Sequence, residues 1–326
     1  MGIIRKLFIG AVVVGAGFFL LCLRQSFCGL SDRNKARAQA HYLMGLFYEN
    51  RQDFDEAISE YNQAASLDKD IPAILLHTAI SHIRKGNLGQ ARETLERLKA
   101  LEPEDTQAGL VLALLYASQN QSEKAALEYE KVLKGAAKAD PKNIDILKSL
   151  ATVYYQQKKI EEAIATYRFI LDIDKSDYES IFMLGSLLEE KGLRQEAINK
   201  FKETLELNPD YPNALNSLGY IYAEEGKNLS EAEGLVKKAL VQKPDNAAYI
   251  DSLGWIYFKM SRVDQAIEQL ERASGMFADP VIYDHLGDAY FKKGISDKAK
   301  SAWEKSLELD GRQEKVKEKL NHLRAK

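Results

Sequence analysis

The sequence predicts an all-α protein, a solenoid of about eight stacked helix pairs with a C-terminal capping helix, preceded by one N-terminal apolar helix. Three observations predict it. All seven prolines recur near multiples of a 34-residue unit. Between the prolines, apolar residues follow helical spacing. Three positions (one small, one alanine, one large and apolar) return in register eight times. A fixed internal period of this length marks a stacked array, because one helix pair cannot bury its apolar face alone.

The first element is the N-terminal run. Arg5 and Lys6 precede an uncharged apolar stretch, Leu7 to Leu23, which Arg24 ends. Its 17 residues would span ~26 Å as a helix. A membrane span needs ~17–25 residues, and a cleavable signal's apolar region ~7–15. Residues 1–30 therefore read as a signal anchor held in the membrane. The second reading is a cleaved signal, with Ser26-Phe27-Cys28 before the cut at Gly29. A lipid anchor ranks third, since bulky Leu21 and Phe27 precede Cys22 and Cys28. The run is apolar all round and stands outside the repeat register, which argues against a buried core helix. The flanking charges do not choose an orientation, and long domains translocate regardless of them. A charged start before an apolar run is the pattern of an export signal, so the body is expected on the extracytoplasmic, periplasmic side, with the cytoplasm-facing orientation left open. Residues 31–37 read as a polar linker or the start of the first helix.

The repeats fill about 38–71, 72–105, 106–143, 144–177, 178–211, 212–246, 247–279 and 280–311. In each, a helix with a small residue at its middle is followed by a turn and a second helix with an alanine near its start. The small residues are Gly45, Ala79, Ala113, Ala151, Gly185, Gly219, Gly254 and Gly287. The alanines are Ala57, Ala91, Ala125, Ala163, Ala197, Ala232, Ala266 and Ala299. Four residues further on stand Tyr61, Leu95, Tyr129, Tyr167, Phe201, Val236, Leu270 and Trp303. Closely crossing helices need a small residue where their backbones approach, and the large residue fills the wedge beside it. Pro72, Pro103, Pro141, Pro209, Pro212, Pro244 and Pro280 fall at helix starts or connections, where a missing amide hydrogen costs little. Gly86, Gly192, Gly226 and Gly294 sit between the two helices, where a helix end often needs a left-handed residue. Four residues are inserted at Gly135–Lys138 and one near Asn228, and the seventh unit is one residue short. The last segment, 312–326, places Val316, Leu320 and Leu323 on one helical face and reads as a capping helix.

These small, aromatic, alanine and proline positions resemble the tetratricopeptide repeat family over about residues 38–311. The resemblance implies a right-handed superhelical solenoid that binds proteins. It further implies that ligands lie in a concave groove lined by the second, fifth, ninth and twelfth residues of each unit. Those places hold Tyr42, Leu46, Leu76, Ile80, Ile83, Leu110 and Leu114 toward the N-terminus. Toward the C-terminus they hold Phe182, Asn216, Tyr220, Asp251, Trp255, Phe258, Asp284, Asp288 and Phe291. The apolar row from Leu76 to Leu114 would receive an apolar helix face or an extended peptide, or else be ordinary core. The C-terminal set combines flat apolar contact with carboxylates that favour a basic segment. Capping of local backbone by those carboxylates, or their pairing with Lys259, Lys292 and Lys293, is the alternative. Lys148 and Asn216 at the matching places, beside Asp251 and Asp284, do not make the cationic carboxylate clamp some family members use.

Composition narrows the function. The formal net charge is −3; residues 1–30 hold three basic residues and no acid, so the rest carries −6. Nucleic-acid binding needs clustered Lys and Arg, and no basic stripe is present. Both cysteines lie in the first 30 residues, so no thiolate metal site is expected in the body. His41, His77, His82, His285 and His322 are scattered, and no phosphate-binding glycine loop or nucleophile–base arrangement is evident, so neither catalysis nor a cofactor is expected. The reading is a membrane-tethered, non-enzymatic scaffold that binds a peptide or helix in an extracytoplasmic assembly such as envelope biogenesis, secretion or protease delivery. The alternative is an accessory subunit of a separate-chain enzyme, such as a glycosyltransferase or polysaccharide export complex. A self-assembly module, with Ala11 and Gly15 aiding association in the run, is a third.

Overall fold

A computed structural model of the chain describes residues 32–68 and 71–324, so Leu7–Leu23 lies outside the described residues. Among the described residues there are seventeen α-helices and no strand. None of these helices is long and apolar enough to cross a membrane. The helices fall into two compact units, divided between Lys159 and Ile160.

In the first unit, α1 (Asp32–Asn50) pairs with α2 (Phe54–Leu67), α3 (Pro72–Lys85) with α4 (Leu88–Leu101), and α5 (Thr106–Ser118) with α6 (Ser122–Ala139). Helix α7 (Ile144–Gln156) packs on α6. In the second unit, α8 (Ile160–Ile173) packs on α9 (Tyr178–Glu190), which pairs with α10 (Arg194–Leu207). Next come α11 (Pro212–Glu225) with α12 (Leu229–Gln242), and α13 (Ala247–Lys259) with α14 (Val263–Met276). Finally α15 (Pro280–Lys293) pairs with α16 (Ser296–Leu309), and α17 (Glu314–Arg324) closes on α16. In each unit the second helix of one pair also packs on the first helix of the next.

The local chemistry explains these boundaries. Proline opens α3, α11 and α15 at a position whose amide needs no partner. Elsewhere Asp105, Asn143, Asp177 and Asn246 accept a hydrogen bond from the amide three residues on, which satisfies an otherwise orphaned donor. The first helix of each pair ends at a residue of positive φ. Gly86, Gly192, Gly226 and Gly294 do this as expected, but Gln52, Asn120, Lys158 and Ser261 take the same conformation. The chain reversal imposes the geometry, whichever residue stands there.

The small-to-large register fixes how the two helices meet. A methyl group on Gly287 would stand 2.4 Å from the Trp303 indole, and one on Gly45 2.4 Å from the Tyr61 ring. Tyr61, Leu95, Phe201, Val236, Leu270 and Trp303 are all buried. Tyr129 departs from the expectation and is 37% exposed. In α6 the inward face runs through Ala125 and Val132, and Val132 fills the space beside Gly109. Glu130 is buried there instead, held by Lys134 at 2.6 Å and Lys159 at 2.7 Å. The four-residue insertion does not form a loop. It lengthens α6 to 18 residues against 14 in α4, and four residues are about one helical turn. Of the two readings of residues 31–37, the start of the first helix is the one seen: helix begins at Asp32 and α1 runs for 19 residues. That extension holds Arg33, Lys35, Ala36 and Arg37, residues that favour helix.

A charge pattern recurs between successive pairs. A cation at the end of a first helix reaches a carboxylate on the preceding second helix. Lys191 meets Glu161 at 2.6 Å, Arg262 meets Glu233 at 2.9 Å and Lys293 meets Asp264 at 2.6 Å, and Lys85 binds Asp55 in the same way. Lys85, Lys191 and Lys293 suit the helix C-termini at which they sit, and Asp55, Glu161 and Asp264 suit the first turns they occupy.

Candidate partner-binding site

The expected groove residues fall in two places, one in each unit. In the first unit, Leu76, Ile80 and Ile83 of α3 and Leu110 and Leu114 of α5 are half-buried. Leu76 and Ile83 pack against the core formed by Leu75, Leu95, Leu98, Leu112 and Tyr116. Tyr42 is buried. This row is therefore apolar and partly used by the fold.

In the second unit, α11, α13 and α15 bring most of the C-terminal set together, since the first helices of successive pairs touch. Residues 216, 220 and 224 recur every four along α11, and 251, 255 and 258 share one face of α13. Trp255 is the centre. Its ring stacks on His285 at 4.0 Å and on Phe258 at 4.8 Å, and its indole N–H donates to Glu224 Oε1 at 2.6 Å. The Lys259 ammonium lies 4.6 Å from the same ring. Trp255 is thus 7% exposed and rigidly held. Phe258 and Tyr220 are half-buried, and Phe291 is 37% exposed. The Lys292 ammonium stands 4.7 Å from the Phe258 ring, and Phe291 lies 5.6 Å from Trp303. Tyr220, Phe258 and Phe291 are the partly exposed aromatics that α11, α13 and α15 contribute, and Phe258 stands directly on the Trp255 ring.

The carboxylates pair within the chain, with His285 and Lys319 in place of the expected Lys259, Lys292 or Lys293. Asp251 is buried, with its two oxygens 3.0 and 3.2 Å from His285 Nδ1. Asp284 and Asp288 both accept from Lys319 of the capping helix, at 2.6 and 2.8 Å, and Trp303 Nε1 donates to Asp288 at 3.2 Å. Burial alone would favour the neutral imidazole of His285. The Asp251 carboxylate, with Asp284 and Asp288, outweighs it and holds His285 above the usual histidine range. Burial raises the Asp288 carboxyl, with Lys319 working against it. Burial, followed by Glu224 and Asp251, pushes the Tyr220 hydroxyl well above the phenol range.

Phe182 and Asn216 stand apart from the Trp255 cluster. Phe182 packs on Tyr211 at 5.2 Å and Phe201 at 5.5 Å. The Asn216 carbonyl oxygen is buried and accepts no hydrogen bond. Sequence reasoning missed His285, Lys319 and Glu224. For His285 a signal existed: it lies 34 residues beyond Asp251, one repeat along the same column. Among the described residues no three His, Cys, Asp or Glu side chains converge as a metal site.

Comparison with known proteins agrees with the helical-repeat fold. Family models described as tetratricopeptide repeat match residues 50–115, 144–177, 182–247 and 281–313. The chain is 26% identical over 203 residues to a TPR repeat-containing protein of Pseudomonas aeruginosa, covering 62% of this chain and 33% of that protein. It is 24% identical over 229 residues to the peroxisomal targeting signal receptor of Kluyveromyces lactis, covering 70% of this chain and 40% of the receptor. These matches therefore span well under half of either relative. A tetratricopeptide repeat protein of Parabacteroides merdae superposes with a TM-score of 0.58 at 20% identity, covering 77% of this chain and 98% of that one. A chain of the APC/C hetero-tetramer Cut9–Hcn1 gives 0.57 at 18%, covering 83% and 52%. The structural likenesses show a shared helical-repeat fold.

Proposed function

This chain belongs to the tetratricopeptide repeat family, and we propose that it is a membrane-tethered adaptor that holds a peptide or helix of another protein in an extracytoplasmic assembly. Proteins of this family are protein–protein interaction scaffolds. The observation that carries the finer reading is the set of partly exposed aromatics Tyr220, Phe258 and Phe291 on α11, α13 and α15, with Phe258 stacked on the buried Trp255. Aromatic side chains held in place lose little entropy on binding, which is why they anchor interfaces. The matched peroxisomal targeting signal receptor, a receptor for a targeting signal by name, supports peptide capture. The acidic residues nearby give the partner a basic character only where its cation displaces or joins Lys319. Tethering rests on the apolar length of Leu7–Leu23.

The test is capture of partners from solubilised native membranes by the intact chain and by Phe258→Ala/Phe291→Ala. A defined partner is expected to bind the intact chain and to weaken by about tenfold or more with the variant, as for loss of two interface anchors. Equal capture by both would remove the aromatic surface from the site. A stable enzyme in the captured set would instead favour the accessory-subunit reading.

A further inference from the structure

Helix α1 carries an apolar stripe on its outward face. Leu43 is 51% exposed, Met44 45% and Phe47 52%. Ala36 and Ala40 are exposed on the same side. At 100° per residue these five positions fall within an arc of about 100°. A solvated helix face has no need of Leu, Met and Phe together. In the later pairs of each unit, the first helix packs on the second helix of the pair before it. Helix α1 has no preceding pair among the described residues.

The charge around the stripe points to what covers it. Arg33 and Arg37 are exposed beside it, and Arg51 follows its far end. The first 37 residues hold six Lys and Arg against one acid, a share of +5, which leaves −8 for the rest of the chain. The acids that follow the stripe along the chain are engaged elsewhere. Glu49 accepts from Tyr61 and His77, Glu60 pairs with His41, Asp53 with Arg51 and Asp55 with Lys85.

We propose that this stripe lies on the anionic lipid surface of the membrane that holds residues 7–23, seating the first repeat against the bilayer. The inference rests on reading Leu7–Leu23 as inserted. The eight residues 24–31 reach at most ~28 Å, so α1 starts within reach of the bilayer surface, and its 19 residues are long enough to extend ~28 Å along it. An apolar face flanked by arginines is the chemistry of an interfacial helix on anionic lipid. A second copy fits less well, because two chains tethered side by side would set Arg33 and Arg37 against their own counterparts. The chain's own uncharged run would leave those arginines without a counter-charge.

The test uses the full chain reconstituted into vesicles of brominated phosphatidylcholine, with and without phosphatidylglycerol. Single tryptophans report position by quenching, read above the Trp255 and Trp303 baseline. Phe18→Trp reports the run, Phe47→Trp the stripe and Val241→Trp, at a site 83% exposed, the solvent. The expected result is quenching of Phe18→Trp in both lipids, of Phe47→Trp only with the anionic lipid, and never of Val241→Trp. Adding Arg33→Glu/Arg37→Glu should bring the Phe47→Trp signal down to the Val241→Trp level. Quenching of Phe18→Trp with an unquenched Phe47→Trp overturns this proposal and leaves the anchor standing. A blue-shifted but unquenched Phe47→Trp overturns it in favour of protein cover. An unquenched Phe18→Trp overturns the anchor and this inference together.

Discussion

Gly287 and Gly234 show how one residue type carries opposite consequences. On Gly287 a methyl would meet Trp303, whose indole N–H is held on Asp288, so the ring has nowhere to retreat. Gly287→Ala gains about 1 kcal/mol of helix propensity but overpacks by about 1–3 kcal/mol or more. The expected net effect is a lower melting temperature. Around Gly234 nothing lies within 4 Å, so Gly234→Ala should stabilise by about 0.5–1 kcal/mol. Melting curves of the two variants check both signs, and a stabilised Gly287→Ala would contradict the wedge. At His285 the raised folded-state pKa means that the imidazolium is favoured in the native protein. Its contribution is complete below about 6.5 and is lost as the pH rises through the higher folded value. Melting temperature should therefore fall with rising pH above that point, and His285→Gln should flatten the trend. A slope unchanged in the variant would assign it to other groups.

Helix α6 sets a test at the scale of the element. Its extra residues add about one turn, so deleting all four of Gly135–Lys138 returns the exit of the helix to nearly the same azimuth. Deleting only Gly135 and Ala136 rotates that exit by about 200° and turns the contact with α7 away. The four-residue deletion should cost little, and the two-residue deletion about 2–4 kcal/mol, comparable to emptying a core position. Denaturant unfolding of the two variants separates the cases, and equal losses would refute the turn-for-turn account. Element identity was legible in the sequence because the small-to-large contact is steric, local and repeated. It misled at Tyr129, where the burial of Glu130 with Lys134 and Lys159 turns another face of α6 inward. The left-handed turns were legible only at the glycines. Gln52, Asn120, Lys158 and Ser261 adopt the same φ at a steric cost that residue type does not reveal. The aromatic column was legible from its spacing. The pairings of Asp251 with His285 and of Asp284 and Asp288 with Lys319 were not, since they depend on side-chain reach between neighbouring helices.

Across the whole molecule, the ladder of cations and carboxylates between successive pairs invites the idea that charge holds the repeats together. The magnitudes decide otherwise. The acids at Glu161 and Asp264 are 71% and 82% exposed, and such pairs contribute about 0–1 kcal/mol each. The buried wedges at Phe201, Leu270 and Trp303 contribute about 1.5–3 kcal/mol apiece. Raising sodium chloride until the Debye length falls to about 3 Å should lower the melting temperature by only a few degrees. A fall of more than about 10 °C would reverse the ranking. The two tryptophans have a further use. Trp255 and Trp303 both lie beyond Ile160, each with its indole N–H on a carboxylate, and the residues before that point contain no tryptophan. Tryptophan emission, excited at wavelengths that tyrosine does not absorb, is therefore a gauge of one half of the chain and dark to the other. Set beside circular dichroism, which registers every helix, it would reveal without any label whether the two halves melt as one cooperative body or in succession.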